Sequence, residues 1–224
     1  MTRVCAQGGS DGWRDRQGAS GRLGPRPRAT RIRARPFPTP PAVVYGGVPE
    51  PTRGPPMQRL ILFRHAKAER RADSGEDFDR DLTDRGRSDA ALMGRLLAER
   101  GLSPDRVLVS GATRTRATWS AMAGAFPGAE PVIDDALYNA PASALLAAAQ
   151  AGPEVGTVMV IAHNPGLHEA SMALLARGSA GAADLHAVRS GMPTATAGVF
   201  DLSSGSARLE GWLLARDHGG GGGE

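Results

Sequence analysis

The chain has little cysteine and no long apolar run. Cys5 is its only cysteine, which excludes an intramolecular disulfide and a zinc site built on cysteines, and is in keeping with a reducing compartment. No apolar stretch approaches the ~18–20 residues that a membrane-spanning helix needs. The N-terminus also lacks the apolar core of a secretory signal. We therefore expect a soluble, cytoplasmic protein with no membrane partner.

Positive charge is concentrated at the start of the chain. Residues 1–56 contain ten basic and three acidic residues, a balance of +7. The whole chain has 27 basic and 23 acidic residues, which leaves 17 basic and 20 acidic residues, a balance of −3, for residues 57–224. The basic character thus belongs to the first segment, and a nucleic-acid partner is not expected for the rest.

Residues 1–56 also hold ten of the seventeen prolines and almost no hydrophobic periodicity. Such a segment cannot bury enough apolar surface to offset the entropy lost on ordering, so we expect disorder. Three interpretations stay open. In order of preference, translation begins at Met57, the segment is a tail without specific use, or it is an arginine-rich anion-binding arm or transit peptide.

From Gln58 onward, short apolar runs alternate with amphipathic segments. This alternation predicts a mostly parallel, doubly wound α/β sheet with helices on both faces, in one domain over residues 57–216. Residues 217–224 are expected to form a flexible glycine-rich end. The predicted strands are 59–63, 106–109, 131–133, 157–162, 197–202 and 208–214, the last two at a sheet edge, and the predicted helices are 84–100, a segment ending near 125, 142–151 and 165–176.

Ligands of an open α/β sheet bind beyond the carboxyl ends of its strands. Arg64 and His65 follow the first predicted strand, Ser110 and Arg114 follow the second, and His163 follows the strand 157–162. Two arginines and two histidines suit a dianionic phosphoryl group. The set has no carboxylate or thiol that would indicate a metal, so we expect neither metal nor cofactor. Ser110 has no obvious base, which makes His65 the candidate nucleophile.

Several short motifs lie in order along the chain: residues 64–69 (RHAKAE), 80–86 (RDLTDRG), 107–110 (VLVS) with Arg114 and Thr118, 137–138 (LY) and 163–167 (HNPGL). In their order and spacing they resemble the SixA-type phosphohistidine phosphatases of the histidine phosphatase superfamily. Ala66 stands where the broader superfamily usually has glycine, and this difference favours the SixA-type subgroup.

The resemblance implies a phosphoglycerate-mutase-like fold and a metal-independent phosphohydrolase. His65 would carry the phosphoryl group, while Arg64, Arg114 and a protonated His163 would form the phosphate pocket. The implied substrate is a protein phosphohistidine, with a small phosphorylated molecule as the alternative. Beside this set, we expect the Ser110 hydroxyl near the phosphate and Lys67 to add positive potential at the pocket mouth.

Larger relatives carry a carboxylate general acid on an inserted segment, and here Asp134, Asp135 and Glu69 are only candidates for it. Phosphohistidine can leave as neutral imidazole, whereas an alkyl phosphate needs a proton donor. A missing acid therefore favours phosphoramidate or activated phosphate substrates.

Simpler roles are expected for neighbouring residues: Ser110 caps the second helix, Thr118 packs or caps, Arg80 forms a salt bridge, and Arg116 and His168 lie at the surface.

Three other functions stay open. They are a small-molecule phosphatase or mutase of the same superfamily, a non-catalytic phosphate-binding module, and a tether to nucleic acid or membrane through the arginine-rich tail.

Overall fold

The computed structural model describes residues 57–152, 155–178 and 180–221, all within one compact unit. The predicted tail over residues 1–56 lies outside the described residues. Within the described part of the chain, no helix is long and apolar enough to cross a membrane.

Six strands form one mixed sheet. They are β1 (Arg59–Arg64), β2 (Arg106–Ser110), β3 (Pro131–Asp134), β4 (Thr157–Ala162), β5 (Thr196–Asp201) and β6 (Arg208–Leu214). Their order in the sheet is β3-β2-β4-β1-β5-β6. The first four strands along the chain pair in parallel, whereas β5 runs antiparallel to β1 and β6 antiparallel to β5. The prediction of a mostly parallel sheet with two later strands at one edge is therefore confirmed.

Five helices cover the two faces of this sheet. They are α1 (Asp84–Glu99), α2 (Thr113–Met122), α3 (Ala142–Gln150), α4 (Gly166–Arg177) and α5 (Ala182–Arg189). Side chains alternate along each strand, so Ile61 and Phe63 of β1 pack into a first core on one face of the sheet, while Leu60 and Leu62 pack into a second core on the other. Helices α1 and α2 bury residues in the first core, and α3, α4 and α5 bury residues in the second.

Helix α1 begins and ends at the residues that the sequence indicates. The Thr83 hydroxyl accepts from the Gly86 amide, which satisfies one of the free amides of the first turn. Gly101, just past the end, has a φ of 71°, a conformation that glycine adopts without steric cost. Both the start and the end of this predicted helix are confirmed.

Helix α5 was not predicted. It has eight residues and buries only Val188, so few apolar positions mark it in the sequence. His168 of α4 contacts this helix through a 2.8 Å hydrogen bond between Nε2 and the Val188 carbonyl oxygen. His168 is half-buried, and this hydrogen bond to α5 is a contact that the sequence did not predict for a residue expected at the surface.

The glycine-rich end continues from a 3-10 turn, Ala215–His218. The Gly220 amide donates to the Ala215 carbonyl oxygen at 2.8 Å, and the Gly221 amide donates to Asp89 Oδ1 of α1 at 2.8 Å. These bonds tie residues 219–221 to α1. Flexibility of the end as a whole stays a prediction.

Candidate active site

Three adjacent strands deliver the candidate site residues to one edge of the sheet. His65 follows β1, His163 follows β4, and Ser110 ends β2, while β4 lies between β1 and β2. The two imidazole rings lie with their centroids 5.2 Å apart. Both histidines are buried, with only 7% and 4% of their surface exposed. The structure thus brings together two histidines that are almost a hundred residues apart in sequence.

The His65 ring is oriented by its own backbone neighbour. Its Nδ1 lies 2.8 Å from the Ala66 carbonyl oxygen. A carbonyl oxygen only accepts, so Nδ1 carries the hydrogen and the neutral ring keeps its lone pair on Nε2. Burial lowers the pKa of His65 to about 3, with the positive potential of His163, Arg114 and Arg64 adding to the effect. At neutral pH, His65 is therefore uncharged with a free electron pair on Nε2.

Thr118 connects the His65 loop to helix α2. Its hydroxyl accepts from the Ala66 amide at 3.0 Å and donates to the Arg114 carbonyl oxygen at 2.7 Å. The residue beside the histidine and the helix that carries Arg114 are thus held by one side chain. This role is more specific than the packing or capping that the sequence indicated.

His163 contacts Ser110 rather than the backbone. Its Nε2 lies 2.8 Å from Ser110 Oγ, and its buried Nδ1 has no hydrogen-bond partner among the described residues. Burial lowers the pKa of His163 to about 3, with Arg114 contributing, while Asp77 acts in the opposite direction. His163 is therefore neutral in this structure, and its protonation during phosphoryl transfer stays a prediction.

Ser110 does not cap helix α2. The N-cap position is Ala112, which has no side-chain cap, and the Ser110 hydroxyl bonds to His163 instead. The predicted capping role is wrong because β2 continues through Ser110 and places it two residues before the cap. Its hydroxyl is nevertheless buried in the site.

Arg114 contacts the carboxylate of Asp77, a residue that the sequence did not indicate as part of the site. It is only 3% exposed, and its Nη1 and Nη2 donate to the carbonyl oxygen and to Oδ2 of Asp77 at 2.6 and 3.0 Å. Asp77 Oδ2 also accepts from the Tyr138 hydroxyl at 2.6 Å, and its Oδ1 pairs with Arg80 Nε at 2.9 Å. The hydrogen bond from Tyr138 and the two arginines lower the pKa of Asp77.

Asp77 was missed because its side chain reaches the site from a loop rather than from a strand end. It belongs to a 3-10 turn, Asp77–Asp79, within the stretch between the first strand and α1. Its spacing of three residues before Arg80 is the signal that could have found it. The salt bridge expected of Arg80 is the one with Asp77.

Arg64 is half-buried beside His65. Its Nη1 donates to the Met192 carbonyl oxygen at 2.7 Å, and the same oxygen accepts from Asn164 Nδ2 at 2.9 Å. This shared carbonyl ties the ends of β1 and β4 to the segment before β5. Arg64, His65 and Lys67 line one pocket of about 330 Å³, so the structure places Lys67 at the pocket as expected.

None of the carboxylates suggested as general acid lines that pocket. Asp134 Oδ1 accepts from the Ala136 amide, and the Asp135 carboxylate packs against Gly111. Glu69 lines a neighbouring pocket with Arg71. Asp77 is the carboxylate that contacts Arg114, and its lowered pKa keeps it ionised at neutral pH, so it has no proton to donate.

Among the described residues, no group of three or more histidine, cysteine, aspartate and glutamate side chains is arranged to hold a metal ion. The independence from metal expected from the sequence stays a prediction. What the arrangement offers an anion is two guanidinium groups, two imidazoles and a hydroxyl, most of them buried.

Comparisons with known proteins converge on one family. The model of the histidine phosphatase superfamily (branch 1) matches residues 60–145. An uncharacterized protein from Picosynechococcus is 34% identical over 157 residues, which cover 67% of this chain and 88% of that protein. An uncharacterized chloroplastic protein from Arabidopsis thaliana is 31% identical over 131 residues, which cover 52% of this chain and only 59% of that protein.

A solved structure gives the same result. The chain is similar to a candidate phosphohistidine phosphatase, SixA, from Agrobacterium tumefaciens, with a TM-score of 0.63 and 35% sequence identity. This likeness covers 70% of the present chain and 98% of that chain.

Proposed function

Because the chain belongs to the histidine phosphatase superfamily and is of the SixA type, we propose that it is a phosphohydrolase acting on protein phosphohistidine. The phosphoryl group passes through a covalent intermediate on His65. The partner is then a phosphorylated protein, and no cofactor takes part.

The orientation of the His65 ring is the observation that carries this proposal. The Ala66 carbonyl oxygen accepts from Nδ1 at 2.8 Å, which leaves Nε2 as the nucleophilic atom. Burial keeps the ring neutral, because its pKa is lowered to about 3. The ring that keeps this lone pair lies with its centroid 5.2 Å from that of the His163 ring, an arrangement that suits a nucleophile beside a second phosphate-binding group.

The proposed first step is in-line attack of His65 Nε2 on phosphorus. The bond between phosphorus and the substrate imidazole breaks as the new bond to Nε2 forms. Arg64 and Arg114 stabilise charge on the equatorial oxygens, as in other loose phosphoryl transfers. The Ala66 carbonyl oxygen stabilises the Nδ1 hydrogen while the ring carries the phosphoryl group. Water then attacks the phosphoenzyme, releases inorganic phosphate and restores neutral His65.

His163 and Ser110 form a pair that responds to the incoming anion. His163 is neutral without a ligand, since burial and Arg114 lower its pKa to about 3. A phosphoryl dianion beside the ring favours the charged form, so the pKa of His163 rises when the substrate binds. The Ser110 hydroxyl, 2.8 Å from His163 Nε2, holds the ring in the same orientation in its neutral and its charged form.

The chemistry of the leaving group favours phosphohistidine over alkyl phosphates. An alkoxide must be protonated as it leaves, and Asp77, the carboxylate in contact with Arg114, is held ionised by its lowered pKa. A phosphohistidine protonated on its other ring nitrogen departs as neutral imidazole and needs no donor. Hydrolysis of a simple alkyl phosphate at the rate of phosphohistidine would contradict this part of the proposal.

The alternative within the superfamily is a small-molecule phosphatase or mutase. Such relatives recognise their substrates with larger inserted segments, whereas here the stretch between β1 and α1 contains only the 3-10 turn Asp77–Asp79. A site without an inserted α-helix in this stretch favours a phosphorylated protein surface over an enclosed metabolite.

Turnover of a phosphohistidine peptide by His65→Ala protein tests the function directly. We expect hydrolysis to be abolished, because no other residue supplies the nucleophile. His186→Ala is the matched control, since His186 is exposed on α5, and it should keep wild-type turnover. Undiminished turnover by His65→Ala would remove the basis of the proposal.

A further inference from the structure

A basic pocket of about 330 Å³ opens beside His65. Four cations line it, Arg64, Lys67, Arg70 and Arg80, and no carboxylate does. Arg114 and His163 are not among its lining residues. Arg64 and His65 are assigned above to the phosphoryl group, so the pocket supplies three further cations, Lys67, Arg70 and Arg80.

Two of these cations are not neutralised by the protein. Lys67 and Arg70 have no carboxylate within 4.0 Å in the described ranges, whereas Arg80 pairs with Asp77. Glu69, between them in sequence, lines a neighbouring pocket instead. Within this segment, Lys67 and Arg70 thus line the pocket beside His65, while Glu69 and Arg71 line the neighbouring one.

The backbone beneath the pocket is held in place. Ala68 pairs with Leu82 in an isolated antiparallel bridge, and the Glu69 amide donates to the Asp81 carbonyl oxygen at 2.8 Å. The Thr83 amide donates to the Lys67 carbonyl oxygen at 3.0 Å. The stretch that carries Lys67 is therefore anchored to the start of α1, and little backbone ordering is needed on binding.

We propose that this pocket, the basic pocket, binds a second anionic group of the substrate, the carboxylate of an acidic residue next to the phosphohistidine. Its volume of about 330 Å³ lies at the small end of ligand pockets and is ample for one acidic side chain. Lys67 and Arg70 pair with that carboxylate while the phosphoryl group lies at His65. This inference rests on the proposed function and adds a sequence preference to it.

The test compares two phosphohistidine peptides that differ only in acidic or amide side chains flanking the phosphohistidine. The wild-type enzyme should show a higher kcat/KM for the acidic peptide, and salt should reduce the difference. Arg70→Gln should lower the preference roughly two- to fivefold, the size of one partly exposed ion pair. Arg70→Glu should reverse the preference, because it places a like charge opposite the carboxylate.

Arg95→Gln is the matched control, because Arg95 is an exposed arginine of α1 outside the lining of the basic pocket, and it should keep the wild-type preference. Equal kcat/KM for both peptides in the wild type, or an unchanged preference in Arg70→Glu, would overturn the inference while leaving the proposed function intact. Failure to hydrolyse either peptide would count against the proposed function itself.

A second measurement uses the composition of the chain. Lys67 is its single lysine, so one amine-directed reagent reports on this pocket apart from the N-terminus. Peptide phosphorylated on histidine and rich in acidic residues should slow acylation of Lys67 in full-length His65→Ala protein, and the amide peptide should slow it less. Equal protection by the two peptides would contradict the assignment of a carboxylate to the pocket.

Discussion

At the scale of single residues, the hydrogen bond to each imidazole determines what its other nitrogen can do. His65 donates from Nδ1 to a carbonyl oxygen, so Nε2 is left as a base and nucleophile. His163 uses Nε2 for a hydroxyl that can donate or accept, so its protonation state can change. Two chemically identical side chains, with ring centroids 5.2 Å apart, are in this way suited to different roles.

Arg114→Ala tests the charge that acts on the phosphoryl group. We expect kcat/KM to fall by about 10²–10³, the usual effect of removing one donor that stabilises a transition state. Arg116→Ala is the matched control, because Arg116 lies on the same helix, is exposed, and its side chain hydrogen-bonds only to Thr113 among the described residues. Steady-state kinetics with a phosphohistidine peptide would separate the two, and a similar loss in both variants would refute the specific role of Arg114.

Asp77→Asn tests whether the carboxylate competes with phosphate for Arg114. Asp77 is 54% exposed, so its ion pair with Arg114 is worth only ~0.5–1 kcal/mol. Removing the charge should let inorganic phosphate inhibit at roughly two- to fivefold lower concentration. Asp79→Asn in the same turn, whose carboxylate accepts from Ser74, should leave inhibition unchanged. Weaker inhibition of Asp77→Asn would instead assign Asp77 to holding Arg114 in place.

The strand-end rule predicted the proximity of His65, Ser110 and His163, because the carboxyl ends of parallel strands meet at one edge. It could not predict Asp77. The course of the loop that carries Asp77 depends on the bridge between Ala68 and Leu82, a contact with no signature in local sequence. The neutral state of His163 was also beyond prediction, because it follows from burial in the folded site.

At the scale of elements, the start of α1 supports the site through close backbone contact. A Cβ on Gly86 would lie 2.0 Å from the Lys67 carbonyl oxygen, the same atom that accepts from the Thr83 amide. The glycine of the RDLTDRG motif is therefore required for the helix to approach the strand-end loop. Helix α1 was predictable from its cap and periodicity, whereas α5 was not, since Val188 is its only buried residue.

Gly86→Ala should lower the free energy of unfolding by about 1–3 kcal/mol, the usual cost of forcing extra atoms into a packed site. Chemical denaturation monitored by circular dichroism would measure it. Gly124→Ala is the control, because a Cβ there meets nothing within 4 Å and should change stability little. Wild-type stability in Gly86→Ala would contradict the close approach of α1 to Lys67.

At the scale of the whole molecule, the order of strands explains how the site is assembled. β4 lies between β1 and β2, so the residues that follow these three strands lie close together at one edge of the sheet, although they are distant in sequence. The antiparallel pair β5 and β6 extends the sheet beyond β1. Alternating periodicity predicted these strands, but their position next to β1 depends on long-range pairing that local sequence does not encode.

The two buried neutral histidines should make the fold sensitive to acid. The pKa values of His65 and His163 are lowered from 6.5 to about 3, so below pH 6.5 the unfolded chain binds protons that the folded chain does not. Stability should therefore fall as the pH falls from 6.5 toward 3, by up to ~1.4 kcal/mol per pH unit for each histidine. Denaturation at pH 7, 6 and 5 would measure this loss of stability. If a double variant with glutamine at both positions lost stability with the same slope against pH, the two histidines would not be its cause.

The central claim, that His65 Nε2 carries the phosphoryl group, is tested most directly by trapping the phosphoenzyme. The protein would be phosphorylated with phosphoramidate, quenched in alkali and mapped by mass spectrometry, with ³¹P NMR of the modified peptide to identify the bonded nitrogen. The account predicts an acid-labile phosphoryl group on Nε2 of His65, because Nδ1 is occupied by the Ala66 carbonyl oxygen. A phosphoryl group on Nδ1 of His65, on His163 or on Ser110 would contradict it.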